Sequence, residues 1–261
     1  MLVTRNDHMS GSKEPKAVVL LDEVSTIYEG ERLPAIRDVS LSINAGDFVC
    51  VVGPNGSGKT TLLETINGIL RNTSGKVRVF GLDVTESGHS VRTRTGYVIQ
   101  NFEIDPLSPF LCKNVVMSGR VGKIGLLRFP SESDWSVVDR SMRLVGMESY
   151  ADRPVGKLSG GEFQKILLAR AIAQEPEMFL LDEPFANLDL KSRADVDRLI
   201  SDLNRKGATT VMVSHEIDSI PAACSHLIVM DRGRVVAFGL RDELLSNGML
   251  SSLMKERGSV H

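Results

Sequence analysis

Residues 53 to 60 read GPNGSGKT, and no other stretch restricts the chain so tightly. They follow an apolar run, Phe48 to Val52, and lead into a helical pattern that starts near Lys59, so they form a strand-to-helix turn. Glycine at Gly53, Gly56 and Gly58 lets the backbone curl until successive N–H groups point inward. The helix N-terminus adds partial positive charge. A concavity of this kind accepts a polyphosphate. Lys59 can reach the outer phosphates as a compact cation, and the Thr60 hydroxyl can ligate Mg²⁺. Pro54, Asn55 and Ser57 complete the stretch, and Thr61 follows it as a further candidate for contact with the polyphosphate. A glycine-rich turn that binds nothing is the competing reading, and strand, turn and helix in register weigh against it.

The surrounding pattern is α/β. Short β-branched runs at 18–21, 48–52, 77–80, 97–99, 178–181, 210–213, 227–230 and 235–238 alternate with helical patterns. The runs at 48–52, 178–181 and 210–213 are apolar at nearly every position, as strands covered on both faces must be, and predict a mostly parallel central sheet. The early runs and the last two lie near glycine and charged turns and are assigned to an antiparallel edge. Between Ile99 and Met178 the strand rhythm stops, which predicts an inserted α-helical lobe over 101–170 between core segments 17–100 and 171–240, with a short helical tail over 241–261. Residues 1–16 read as a loose polar tail. Within the lobe, Ser131 and Asp134 fit a capping box, Trp135, Val138, Met142 and Val145 recur at helical spacing, and Gly146 ends the helix. A later helix carries Val196, Leu199, Ile200 and Leu203 on one side and stops at Gly207.

Met178 to Glu183 reads MFLLDE, a buried strand that presents two carboxylates at its C-terminal end, where open α/β sheets bind ligands. Asp182 is placed to hold Mg²⁺ through water, and Glu183 to polarise the water that attacks a terminal phosphate. An acidic pair after a strand is more often a helix cap; beside the phosphate turn the preference reverses. Leu158 to Glu162, LSGGE, sets Ser159, Gly160 and Gly161 at a helix N-terminus, with the helix expected from about Phe163 to Gln174. It is a second anion-binding turn by the same physics.

With that turn the chain resembles the ATP-binding cassette family over about residues 17 to 238, with the elements in the family's order. The resemblance implies a P-loop core that binds ATP with Mg²⁺, and a signature turn that closes on ATP held by a second copy, giving a dimer with two sandwiched nucleotides. It implies that Tyr28 stacks on adenine, that Gln100 senses Mg²⁺ and links core to lobe, that Asp189 after Asn187 and Leu188 crosses the dimer interface, and that His215 contacts the γ-phosphate. Lys165 stands where most relatives carry Arg.

The net charge of −2 offers no broad cationic surface for nucleic acid, and no apolar run approaches the roughly 18 to 20 residues of a membrane-spanning helix. Any membrane work would therefore be borrowed from partner chains; the resemblance implies permease subunits and, indirectly, a solute-binding protein, with this chain peripheral at the cytoplasmic face. The lobe from Asn114 to Trp135 is similar to that of zinc and manganese importer ATPases at Gly119, Arg120, Gly122, Gly125, Arg128, Pro130, Ser131 and Asp134, supported by Asp152, Arg153 and Phe185. Importer ATPases for iron-siderophore or cobalamin, and a soluble ATPase of iron-sulfur cluster assembly, are the alternatives. Cys50, Cys112 and Cys224 have no metal-ligand spacing and read as packing thiols.

Overall fold

The computed structural model describes residues 17–100, 105–125, 127–215 and 217–246, without the side chain of Asp218. The expected N-terminal tail and most of the C-terminal tail lie outside the described residues. In chain order the elements are β1 (Ala17–Thr26), β2 (Ile36–Asn44), β3 (Phe48–Val52), α1 (Lys59–Ile66), β4 (Ser74–Val79), β5 (Leu82–Asp83), α2 (Val84–Thr93), β6 (Thr95–Val98), α3 (Cys112–Met117), α4 (Val121–Ile124), α5 (Glu132–Leu144), α6 (Gly160–Ala173), β7 (Met178–Asp182), α7 (Leu190–Arg205), β8 (Thr209–Ser214), β9 (His226–Asp231), β10 (Arg234–Leu240) and α8 (Arg241–Ser246).

Two sheets hold the strands. One has six, in the order β10-β9-β3-β8-β7-β6; the other has four, in the order β2-β1-β4-β5. In the larger sheet every pair from β9 to β6 is parallel, and only β10 runs antiparallel. This corrects one expectation: the run at 227–230 belongs to the parallel interior, between β3 and β10. The early strands form their own antiparallel sheet.

The period-two geometry of β3 explains how the layers are joined. Val49 and Val51 face a core shared with Leu62, Leu63 and Ile66 of α1 and with Val19, Leu21 and Ile36 of the small sheet. Phe48, Cys50 and Val52 face the opposite core, which takes in Val116 of α3, Val138 and Met142 of α5, Ile166 of α6 and Ile200 of α7. Helix α1 is thus gripped between two sheets, so the turn in front of it has a fixed base. All three cysteines are buried free thiols. Among the described residues no helix is long and apolar enough to cross a membrane.

Helix α5 starts as its sequence predicts, with both halves of the Ser131–Asp134 capping box formed. Helix α6 begins at Gly160, three residues before the expected start, because Ser159 and Glu162 close a capping box of their own.

Candidate functional site

The 53–60 turn leaves the C-terminal end of β3 with Gly53 at φ +153°, Gly56 at +74° and Gly58 at +98°. A Cβ at Gly53 would lie 2.2 Å from the Met230 carbonyl oxygen, and one at Gly58 would lie 2.7 Å from that of Ala35. Glycine is required there by close backbone approach as well as by φ. Lys59 Nζ donates to the carbonyl oxygens of Gly53 and Pro54, both at 2.9 Å, and so sits across the turn that it closes. Burial pulls the Lys59 ammonium below its ordinary range, opposed by the charges of Glu183 and Asp182.

β7 delivers the two carboxylates. Thr60 Oγ1 donates to Asp182 Oδ2 at 2.8 Å. The other oxygen, Oδ1, is buried with no hydrogen-bond partner. Burial pushes the Asp182 carboxyl up, the Thr60 hydrogen bond pulls it back, and Glu183 adds to the rise. An ionisable oxygen left bare beside a hydroxyl is costly unless something cationic completes it, so the donor set fits Mg²⁺. Glu183 takes a left-handed φ of +50°, which turns its side chain out of the strand's alternation. Its carboxylate meets His215 Nε2 and accepts a hydrogen bond from Gln100, while burial raises its pKa. Tyr28, Asn55, Gly56, Gly58, Lys59, Thr60, Thr61, Gln100, Glu183 and His215 all border one cavity of about 390 Å³. Residues from five separate stretches of sequence therefore converge on the turn.

The second turn is placed differently. Ser159, Gly160 and Gly161 are not among the described residues that line that cavity. Glu162 Oε2 accepts from Ser159 N at 2.7 Å and from Ser159 Oγ at 3.0 Å, and Glu162 N donates back to Ser159 Oγ at 3.3 Å. Those bonds hold the Glu162 carboxyl below its ordinary value, the Ser159 N–H contributing most and the Tyr150 hydroxyl adding to it. The turn packs on the 187–188 segment: a Cβ at Gly161 would lie 2.9 Å from the Asn187 carbonyl oxygen. Asp189 caps α7, accepting from Ser192 N at 2.8 Å.

Three of the lobe residues singled out in the sequence, Arg120, Ser131 and Asp134, build a brace outside the cradle cavity. Arg120 donates through Nε and Nη2 to Asp134 Oδ1 at 3.1 and 3.0 Å, and through Nη1 to the Ala173 carbonyl and Glu175 Oε2 at 3.1 and 2.7 Å. Asp134 is held down to about 2, first by the Ser131 hydroxyl and then by the Ser131 N–H. Phe185 lies under the Arg193 guanidinium, and Arg153 over the Tyr150 ring. Sequence reading missed Glu64, whose Oε2 takes a hydrogen bond of 3.2 Å from the Tyr28 hydroxyl. Their separation of 36 positions hides the pair from any local pattern.

Fold and site together define a nucleotide-binding class: a parallel sheet with a lysine-bearing glycine turn and an acidic strand end at its C-terminal edge. The family profile described as ABC transporter matches residues 36–186. The chain belongs to the ABC transporter family, and within it to the ATP-binding cassettes. It is 38% identical over 225 residues to a manganese transport system ATP-binding protein of Synechocystis, covering 86% of this chain and 85% of that one. It is 34% identical over 243 residues to a protein of the same description in Bacillus subtilis, covering 92% of each. Among solved structures, a dimeric post-hydrolysis ATP-binding cassette bound to ADP and Pi superposes with TM-score 0.75 at 28% identity, covering 85% of this chain and 98% of that one. An inward-facing putative metal-chelate type ABC transporter gives 0.78 at 28%, covering 92% and 90%.

Proposed function

We propose that this chain is the Mg²⁺-dependent ATPase subunit of a metal-ion importer of the manganese and zinc type, working as a dimer beneath permease subunits at the cytoplasmic face of the membrane. The observation that carries the ATPase reading is the bare Asp182 Oδ1 beside Thr60, with Lys59 and Glu183 opening on the same cavity. The metal reading rests on the manganese-transport relatives and on the lobe brace of Arg120, Ser131 and Asp134.

When bound through Thr60, Gln100 and, by way of water, Asp182, Mg²⁺ would neutralise charge on the outer phosphates. The protein's own residues position the rest. The cradle's N–H groups hold the phosphates, and Lys59 exchanges its two carbonyl partners for phosphate oxygens. Tyr28 stacks on the adenine. Glu183 orients the attacking water and takes up its proton, with His215 in contact to fix the carboxylate's direction. Glu183 is suited to this because burial has already raised its proton affinity. From a second copy, Ser159, Gly160 and Gly161 reach the γ-phosphate, and Asp189 lies at the interface; hydrolysis removes the shared ligand and lets the copies part. The solute-binding protein enters only through the permease.

The reading is tested by uptake. Radioactive manganese should enter membrane vesicles that contain the chain with its permease when ATP is supplied to this chain's side, and should not when Lys59→Ala replaces it. ATP hydrolysis without association with any polytopic membrane protein would point instead to a soluble assembly ATPase.

A further inference from the structure

Tyr28 stands two residues beyond the end of β1, on a loop whose neighbours to residue 35 form no regular structure. A half-exposed aromatic ring at such a place has rotamers to choose from, and a ring that sweeps is a poor stacking platform. Here it is held. The Tyr28 hydroxyl meets Thr61 Oγ1 at 3.0 Å and donates to Glu64 Oε2 at 3.2 Å. Thr61 and Glu64 are three residues apart on α1 and therefore share a face of that helix. One turn further on, Thr65 Oγ1 meets Thr26 Oγ1 at 3.1 Å, both buried, and donates to the Thr61 carbonyl at 2.7 Å. The end of β1 is thus fastened to the cradle helix at two levels, and the ring is indexed to the helix that begins with Lys59 and Thr60.

We infer that Glu64 is a positioning residue for nucleotide binding: its carboxylate, with the Thr61 hydroxyl, tethers Tyr28 so that the ring is already set over the base position when the triphosphate is seated. This deepens the ATPase reading above and rests on it. Glu64 carries out no chemistry and touches no phosphate; it acts only through the ring. Because a neutral amide oxygen accepts the same hydrogen bond, charge at this position is dispensable and acceptance is not.

The test separates base from phosphate. For the full-length protein, KM and kcat with Mg-ATP are measured together with competitive inhibition by inorganic tripolyphosphate, which has the phosphates and no base. Loss of one net hydrogen bond predicts that Glu64→Ala raises the ATP KM by about three- to ten-fold. Tripolyphosphate inhibition and kcat stay as in the unaltered protein, and Glu64→Gln restores KM. Tyr28→Phe, which keeps the ring and removes both hydrogen bonds, should raise the ATP KM at least as much as Glu64→Ala, and the double variant should be no worse than Tyr28→Phe alone. Equal weakening of ATP and tripolyphosphate in Glu64→Ala would place its effect in the cradle and overturn the inference, as would an unchanged ATP KM or a Glu64→Gln variant as impaired as Glu64→Ala. Failure of the unaltered protein to bind either compound would instead bring down the ATPase reading.

Discussion

The chain has two glycine turns at helix N-termini, and they differ in what already occupies them. At 53–60 the turn is complete in one polypeptide. Three glycines with positive φ curl the backbone, and Lys59 lies across the opening on two carbonyls that a phosphate can replace. At 159–161 the turn is answered by its own helix: the Glu162 carboxylate takes both the N–H and the hydroxyl of Ser159. It rests on the 187–188 segment away from the cradle cavity. Similar backbone physics therefore yields one site ready for an anion and one already satisfied by an internal anion. On the function proposed above, a second copy would bring the phosphate that draws Ser159 Oγ from Glu162.

The largest expected effect sharpens the role of the first turn's surroundings. Glu183→Gln should lower kcat on the order of a hundred- to ten-thousand-fold in a phosphate-release assay while ATP still binds, since the amide cannot take up the water's proton. Normal turnover in this variant would remove Glu183 from the chemistry. Next, Lys59→Ala should weaken ATP binding by about ten- to a hundred-fold by titration calorimetry, the loss of a charge-assisted contact. If affinity were unchanged, the two turns would not differ in the way their geometry indicates.

Smaller effects probe the second turn. Ser159→Ala should lower unfolding free energy by about 1 kcal/mol through loss of the α6 cap. Made in the Glu183→Gln background, it should also reduce the ATP-driven dimer seen by size-exclusion chromatography. A stability loss with dimer formation intact would confine Ser159 to its capping role. The smallest effect concerns Asp182, whose carboxyl is raised by burial. A carboxylate with a raised folded pKa destabilises the fold once ionised, so this penalty is absent at pH below its ordinary value and present above the raised one. Asp182→Asn should therefore raise the nucleotide-free Tm at pH 7, by about 2–4 °C for each kcal/mol relieved. Asp134 has the opposite sign: held down to about 2, it adds stability at neutral pH that fades only as the medium is acidified toward that value.

Much of this was legible in the sequence because it is local. The cradle shows as glycines and a lysine at fixed spacing, β7 as an apolar run ending in two acids, and the start of α5 as serine and an acid three apart. What escaped is what depends on distant partners. β2 escaped although Val39, Leu41 and Ile43 alternate with Ser40 and Ser42, because its polar outer face leaves no continuous apolar run of the kind that marks the buried strands. α2 buries only Val84 and Val91 and contains a non-helical Ser87, which leaves no stripe to detect. The parallel pairing of β9 with β3 joins residues about 180 apart. The site residues were named from motif and resemblance, and ten of them line the cradle cavity. The tether from Glu64 and the brace on Arg120 were not, because hydrogen bonds between remote side chains leave no periodic trace.

The lysine resting on Gly53 and Pro54 has a kinetic meaning. An ammonium without partners would leave a flexible stem to be immobilised at the moment of binding, and the loop around it to be ordered then as well. With Nζ already seated, the loop is pre-organised, and a triphosphate arriving there would exchange oxygens on one nitrogen. Little rotamer freedom remains to be lost on arrival, so recognition begins from a shape close to the one it ends in.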